Sequence, residues 1–387
     1  VIYNGGTVIP VDTQAEDKTL SHILSDSSAK AVFTTLEIRD RLQQFSPDIN
    51  YILLDELQEN QDRKNTELRP AGAGHDETMI LFYTSGTTGP PKGVPLSQGS
   101  ILFQLKTIQK EGLLKEGERL LLPLPLHHVY PLVIGLFLPM SLGYTVVFPH
   151  ALTGPQILRT LRHGRATAVL GVPRIYRALT EGIESRLKAS GIIKKSIFTL
   201  LLLLNRCILA AGKNPGKFLL SGFHRRIAPD LRLLASGGSA LPPALHKKLC
   251  TLGWQVSIGY GLTETSPLLS LQRPDDCRPG SVGRPIDQVQ LRISETDTAS
   301  RGEIQVKGPG VFKGYRHMDK ETKNAFTEDG WFRTGDMGSI KDSHLYLAGR
   351  ISTLIITESG KNIQPEEVEE ALAAHPLIRE AGVLQRD

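Results

Sequence analysis

At 387 residues the chain is longer than one average core supports, which predicts roughly two or three domains or subdomains. A hydrophobic share of 40% and a charged share of 22% exclude global disorder, and no apolar run reaches the ~18–20 residues that span a bilayer. The net charge of +5 and pI near 9.0 fit anionic small molecules, a membrane surface or nucleic acid; the lack of a basic stripe interleaved with aromatics argues against nucleic acid.

The chain opens at Val1, with no methionine and no signal-like segment, inside the strand-like "GGTVIPVD"; this reads as the interior of a longer protein. From there to about residue 260, short β-rich runs alternate with helical patterns. The strand candidates are "KAVFTT" (30–35), "MILFYT" (79–84), "RLLLPLP" (119–125), "YTVVFP" (144–149), "ATAVLGV" (166–172), "LRLLAS" (231–236) and "QVSIGY" (255–260). Helical patterns include 98–111, 131–142, 173–189 and 242–252; Ser97 is placed to cap the first, and Pro173 and Pro242 suit a first helical turn. Such alternation predicts right-handed βαβ crossovers and a mostly parallel sheet. The segment "SIFTLLLLLNRCILAAG" (196–212) is the most apolar helical stretch, with Arg206 near its middle and Lys188, Lys194 and Lys195 before it. Two readings stay open for 186–212: a helix lying on a membrane surface, or a core helix flanked by solvated lysines.

From about 280 the texture changes to "SVGRPIDQVQLRIS", "RGEIQVKGPG" and "SHLYLAGR", strands joined by Gly and Pro turns, which predict an antiparallel or barrel-like piece. After Arg350, "LIITESGKNI" predicts a hairpin and "QPEEVEEALAAH" a helix, the start of a small α/β domain that breaks off. The fold class is thus α/β: a large part, 1–350, of parallel or mixed sheets with helices on both faces, its β-rich subdomain at 280–350, then an incomplete second domain at 351–387. Cys207, Cys250 and Cys277 form neither a zinc pattern nor a disulfide framework, which predicts a reducing, cytoplasmic setting.

The densest local signal is "YTSGTTGPPKGVPLS" (83–97), read here as strand, glycine-rich loop, helix. Gly86, Gly89 and Gly93 permit close backbone approach, so that amide groups can form an anion-binding nest. Thr84, Ser85, Thr87 and Thr88 add hydroxyls, Lys92 adds a point charge, and the following helix would direct its dipole at the anion. The spacing does not fit a Walker A loop. A plain surface loop is the competing reading.

More distant residues weigh on that choice. "LFYTSGTTGPPKG" resembles the signature loop of the adenylate-forming (AMP-binding) enzymes, among them acyl-CoA synthetases, aryl-CoA ligases and luciferases. "PLHHVYP", "ASGGSALP", "GYGLTET", "GWFRTGD" and "GRISTLIITESGKNIQPEEVE" resemble further motifs of that family in order, so the likeness runs from about residue 30 to the end. It implies that ATP, with Mg²⁺, activates a carboxylic acid and that a thiol then accepts the acyl group. Among the residues it implies, Thr84, Lys92, Thr263 and Glu264 carry catalysis, with Thr263 at the α-phosphate and Glu264 as the Mg²⁺ ligand. Ser85, Gly86, Thr87, Thr88 and Gly89 hold phosphates. Gly237, Gly238 and Ser239 line the adenine pocket, Tyr260 and Gly261 lie against the base, Asp336 binds the ribose hydroxyls and Arg350 contacts ribose or phosphate. His128 borders the acyl site, whereas its neighbour His127 is read as structural.

The insert from about 177 to 230 resembles that of long-chain fatty acyl-CoA synthetases, which favours a fatty acid and peripheral contact with the cytoplasmic membrane face through 186–212; with no basic stripe interleaved with aromatics, no nucleic-acid partner is expected. The acceptor would be coenzyme A or the phosphopantetheine of an acyl carrier protein, along a tunnel bordered by Ser359, Gly360 and Lys361. The match fails at Ser352 and Thr353, where the family has a Lys-Asp hinge. The family's adenylation lysine lies beyond residue 387, which implies that a chain ending there binds ATP yet adenylates weakly or not at all. An ATP- or acyl-binding sensor without catalysis is the alternative; the intact loop, Glu264 and Asp336 oppose it.

Overall fold

The computed structural model describes residues 1–2, 5–56, 74–84, 89–189, 191–210, 214–294 and 300–353, and then 355–356, 362–363, 365, 368–369, 372, 378 and 381–383. The chain begins with α1 (Asp17–Ser27), β1 (Ala31–Thr34), α2 (Leu36–Leu42) and β2 (Asn50–Leu53), and β1 and β2 pair in parallel as a small sheet of their own. Next comes an antiparallel hairpin, β3 (Thr78–Thr84) with β4 (Lys92–Ser97), followed by α3 (Gln98–Lys110).

This corrects the strand–loop–helix reading. "KGVPLS" carries the Gly and Pro of a loop, yet Val94 and Leu96 are fully buried opposite Phe82 and Ile80, and that burial makes it a strand. Pro95 is tolerated because β4 has β3 as its one partner in this sheet. Ser97 caps α3 as expected, its Oγ accepting from the Ser100 amide at 3.1 Å. The six residues of β4 put the start of α3 roughly 20 Å from Lys92. There the Gln98 and Gly99 amides donate to the carbonyls of Glu77 and His75. The dipole of α3 therefore does not act on the loop.

The remaining βα units build the main sheet. They are β5 (Arg119–Leu121), a π-helix (Tyr130–Phe137) running into α4 (Leu138–Ser141), β6 (Thr145–Val147), α5 (Gly154–His163), β7 (Ala168–Gly171), α6 (Pro173–Lys188), α7 (Ile192–Ala210), α8 (Gly216–Leu219), α9 (Ser221–Ile227), β8 (Leu233–Ser236), α10 (Pro243–Thr251), β9 (Gln255–Gly261), β10 (Leu268–Gln272) and β11 (Arg284–Pro285). The strand order is β11-β10-β9-β8-β7-β5-β6, parallel from β9 to β6 and antiparallel at β10 and β11. All four residues of β7 are buried, the pattern of a strand covered on both faces. Trp254, Tyr176, Leu161 and Leu231 fill the core around it. Helix α7 settles neither reading of 186–212 outright: Phe198 and Leu202 pack on the core and Asn205 is buried, whereas Ile193, Ile197, Leu200 and Leu204 form an exposed stripe. No helix among the described residues is long and apolar enough to cross a membrane.

The β-rich region forms a four-stranded antiparallel sheet in the order of the chain, β12 (Gln290–Ile293), β13 (Gly302–Lys307), β14 (Phe332–Lys341) and β15 (His344–Arg350), with one short helix, α11 (Asp319–Ala325), between β13 and β14. A bulge between Asp336 and Gly338 breaks the β14–β15 register and re-aims the strand at Asp336. A 3₁₀ turn, Ile351–Thr353, follows, in which Thr353 Oγ1 donates to the Arg350 carbonyl at 3.1 Å. Ile355–Ile356 then pairs antiparallel with Asn362–Ile363, the expected hairpin, and Pro365, Val368, Glu369 and Leu372 have helical backbone.

Candidate active site

Thr84 pairs with Lys92 at the turn end of the β3–β4 hairpin, so both flank the glycine-rich loop. Ser85, Gly86, Thr87 and Thr88 lie outside the described residues, as do Ser359, Gly360 and Lys361. Gly89 stands at φ +126°, a conformation that a side chain would strain, and no atom of the described residues lies within 4 Å of where its Cβ would be. The Lys92 ammonium lies 5.0 Å from the centroid of the Tyr315 ring. The hairpin is tied down at its flank: Arg316 donates its amide to the Gly93 carbonyl at 2.8 Å, and Tyr83 Oη donates to Asp26 Oδ2 at 2.6 Å.

At the end of β9 the chain enters a 3₁₀ turn, Thr263–Thr265, which carries Glu264. Its backbone is held from several sides. Gln104 of α3, fully buried, donates through Nε2 to the Thr265 carbonyl at 3.0 Å and the Leu268 carbonyl at 2.8 Å. The Phe312 amide donates to the Glu264 carbonyl at 2.8 Å. Gly261 must be glycine for lack of room, because a Cβ there would lie 1.7 Å from the Pro267 carbonyl oxygen. The Glu264 carboxylate accepts from Tyr315 Oη at 3.0 Å. Burial pushes this carboxyl above the usual glutamate range, while the Tyr315 hydrogen bond and the charges of Arg350 and Lys92 pull it back.

Glu264 has no ion-pair partner among the described residues, and no cluster of three acidic, His or Cys residues among them could hold a metal alone. A partly desolvated carboxylate beside a threonine fits Mg²⁺ that arrives already coordinated by phosphate oxygens, better than it fits a resident metal.

Tyr260 and Asp336 join the two larger sheets. Tyr260 Oη donates to Asp336 Oδ2 at 2.8 Å, and Arg350 Nε sits 3.1 Å from Asp336 Oδ1. Asp336 and Arg350 face one another in the β14–β15 register. Tyr260 thus spends its hydroxyl on Asp336, a role that the expectation of a stacking ring did not include. Its burial and the Asp336 charge keep it a neutral donor.

Gly237, Gly238 and Ser239 leave the sheet beside this group, since Ser236 at the end of β8 pairs with Ile258 of β9. A Cβ on Gly237 would come within 2.8 Å of the Tyr130 ring, and Gly238 takes φ +77°. Gly238 and Ser239 are exposed. Tyr130 in turn donates to the Ala235 carbonyl at 3.2 Å, which docks the π-helix, and the His127–His128 pair before it, against this loop. The His128 ring lies 4.2 Å from that of His127. Partial desolvation and the His127 charge lower its pKa against the opposing pull of Asp12, so His128 is neutral at pH 7.

The structure therefore brings Lys92 and Glu264 to Tyr315, with Thr84 paired across the hairpin to Lys92 and Thr263 preceding Glu264 in its turn, and joins Tyr260, Asp336 and Arg350 into one hydrogen-bonded group, with Gly237–Ser239 alongside. Sequence reasoning missed Tyr315 and Gln104. Their contacts span 51 and 161 positions respectively, so no local periodicity marks them.

Residues 1–316 match the family model described as AMP-binding enzyme. A probable acyl-activating enzyme 16, chloroplastic, of Arabidopsis thaliana is 30% identical over 367 residues, 81% of this chain and 50% of that protein. Long-chain-fatty-acid–CoA ligase FadD15 of Mycobacterium bovis is 30% identical over 415 residues, 98% of this chain and 67% of that protein. The chain thus spans between half and two thirds of the length of these curated relatives. The structure of o-succinylbenzoate coenzyme A synthetase from Bacillus subtilis, solved with ATP and a magnesium ion, aligns with a TM-score of 0.73 at 26% identity, covering 96% of this chain and 70% of that one. With the family model spanning most of its length, the chain belongs to the AMP-binding enzyme family.

Proposed function

We propose that the protein activates a carboxylic acid with ATP and passes the acyl group to a thiol. An oxygen of the acid attacks the α-phosphorus, the bond to the bridging oxygen breaks, and pyrophosphate leaves; the thiol then adds to the acyl carbonyl and AMP departs. The observation that carries this reading is the placement of Lys92 and Glu264 around one tyrosine, with Asp336 held by Tyr260 and Arg350 nearby. Lys92, Thr84 and residues 85–89 orient the departing phosphates, and Thr263 donates to the α-phosphate. Glu264 ligates Mg²⁺, whose charge offsets that of the triphosphate. Asp336 accepts from the ribose hydroxyls, Gly237 to Ser239 and Tyr260 with Gly261 enclose the adenine, and Arg350 supplies positive charge beside them. Neutral His128 donates a hydrogen bond at the acyl end.

The acid is a long-chain fatty acid and the acceptor is coenzyme A or the phosphopantetheine of an acyl carrier protein. Two features support an amphiphile. Residues 185–229 carry nine lysines and arginines and no acidic residue. The exposed stripe of α7 runs through this stretch, with Ile193 77% and Leu200 58% exposed, beside an apolar groove of about 430 Å³ between α6, α7 and α10. This face rests on the anionic, cytoplasmic surface of a membrane. Residues 1–350 act as the AMP-binding domain, and 351–387 begin a lid that turns about the Ile351–Thr353 segment.

Release of AMP by the full-length natural protein, measured across acids of rising chain length with each thiol, tests the substrate assignment. A long-chain optimum supports it, and a preference for short or aromatic acids overturns it. Co-sedimentation with anionic vesicles tests the surface: I193E/L200E should abolish binding, and equal binding by that variant removes α7 from the account.

A further inference from the structure

We propose that Tyr315 is a positioning residue that keeps the Lys92 ammonium and the Glu264 carboxylate apart and separately available to the triphosphate and its cation. The inference rests on the nucleotide reading above and adds to it a residue that no motif assigned.

Tyr315 is itself firmly placed. Its amide donates to Thr322 Oγ1 at 2.9 Å, and its ring meets Phe312 edge to face at 4.8 Å. The next residue is anchored twice, since the Arg316 amide donates to the Gly93 carbonyl and its Nε donates to the Asp26 carbonyl at 2.9 Å. From that fixed base the side chain makes two different contacts. Its hydroxyl donates to Glu264 Oε1 at 3.0 Å, and its ring face lies 5.0 Å from Lys92 Nζ.

Lys92 and Glu264 make no ion pair with one another, although each lies near the other's charge. Both sit on the same aromatic side chain, the cation on its face and the anion at its hydroxyl. A cation over a ring and a carboxylate on a phenol are each satisfied without neutralising the other. Removing the ring would let the flexible lysine fall onto the carboxylate. ATP would then have to break that pair before binding, which is the cost that preorganisation avoids.

The test uses the full chain and calorimetric titration of ATP with and without Mg²⁺, with thermal melting as a check on folding. Y315F keeps the ring and loses the hydroxyl. Its metal-free ATP affinity should stay within about twofold of wild type, while the gain in affinity on adding Mg²⁺ should fall roughly tenfold. Y315L loses both contacts, and its metal-free ATP affinity should fall about tenfold as Lys92 closes on Glu264. The double variant Y315L/E264Q removes the competing charge and should recover most of that metal-free loss. A double variant as weak as Y315L, or a Y315F variant with an unchanged Mg²⁺ gain, overturns the proposal. Should Y315L unfold, the Y315F arm alone decides. Wild-type protein that binds no ATP would overturn the nucleotide reading itself, a result distinct from either of these.

Discussion

Replacing Asp336 by asparagine is the most informative single change at the nucleotide end. Asp336 is 7% exposed and accepts from Tyr260 Oη at 2.8 Å, with Arg350 Nε at 3.1 Å. The Arg350 side chain is 56% exposed, so solvent screening leaves the ion pair worth about 0.5 kcal/mol. The Tyr260 hydrogen bond drops from about 2 kcal/mol with a carboxylate to about 1 kcal/mol with an amide. D336N should therefore lose about 1–2 kcal/mol of stability, a modest shift by chemical denaturation. The nucleotide should suffer more. Two hydroxyl-to-carboxylate bonds weakened by the same ~1 kcal/mol each reduce AMP affinity roughly 30-fold. The control is 2′,3′-dideoxy-AMP, which lacks both hydroxyls: wild type should bind it far more weakly than AMP, and D336N should scarcely distinguish the two. Equal discrimination by wild type and D336N would show that Asp336 holds Tyr260 and Arg350 but never meets a ribose.

Gln104→Leu removes two donors from a fully buried site and strands the Thr265 and Leu268 carbonyls, so it should cost about 2–4 kcal/mol in urea denaturation and loosen the Glu264 turn. Gly237→Ala puts a methyl 2.8 Å from a Tyr130 ring carbon; AMP affinity should fall while the fold survives, as near-ultraviolet circular dichroism would show. Burial raises the Glu264 pKa, so the folded state favours the protonated carboxyl, and the stability it contributes at low pH is lost as pH rises through the raised value. E264Q should accordingly melt above wild type at pH 7, the gap closing below the ordinary glutamate value of 4.5, and should lose the Mg²⁺-dependent gain in ATP affinity.

All seven strand candidates named from the sequence fall on strands, because alternating or continuous β-branched and leucine-rich runs report burial directly. Their grouping was less legible: 30–35 and 79–84 lie outside the seven-stranded sheet, since pairing is decided by distant partners. β4 was hidden by its own composition, for Gly93 and Pro95 look like loop residues and only the burial of Val94 and Leu96 against β3 makes a strand of them. At the site, "GYGLTET" and "GWFRTGD" located Tyr260 and Asp336, yet nothing near either residue announced a hydrogen bond across 76 positions. Tyr315 was invisible for the same reason. The helix after the glycine-rich loop was correctly capped at Ser97 but wrongly aimed, because the intervening strand was not recognised.

The central claim, that this pocket joins an acid to AMP, is tested most directly by exchange of labelled pyrophosphate into ATP by the full-length natural protein. The account predicts exchange that requires both Mg²⁺ and a long-chain fatty acid and that disappears in E264Q. ATP binding without acid-dependent exchange would contradict it and leave a nucleotide-binding protein that does not adenylate.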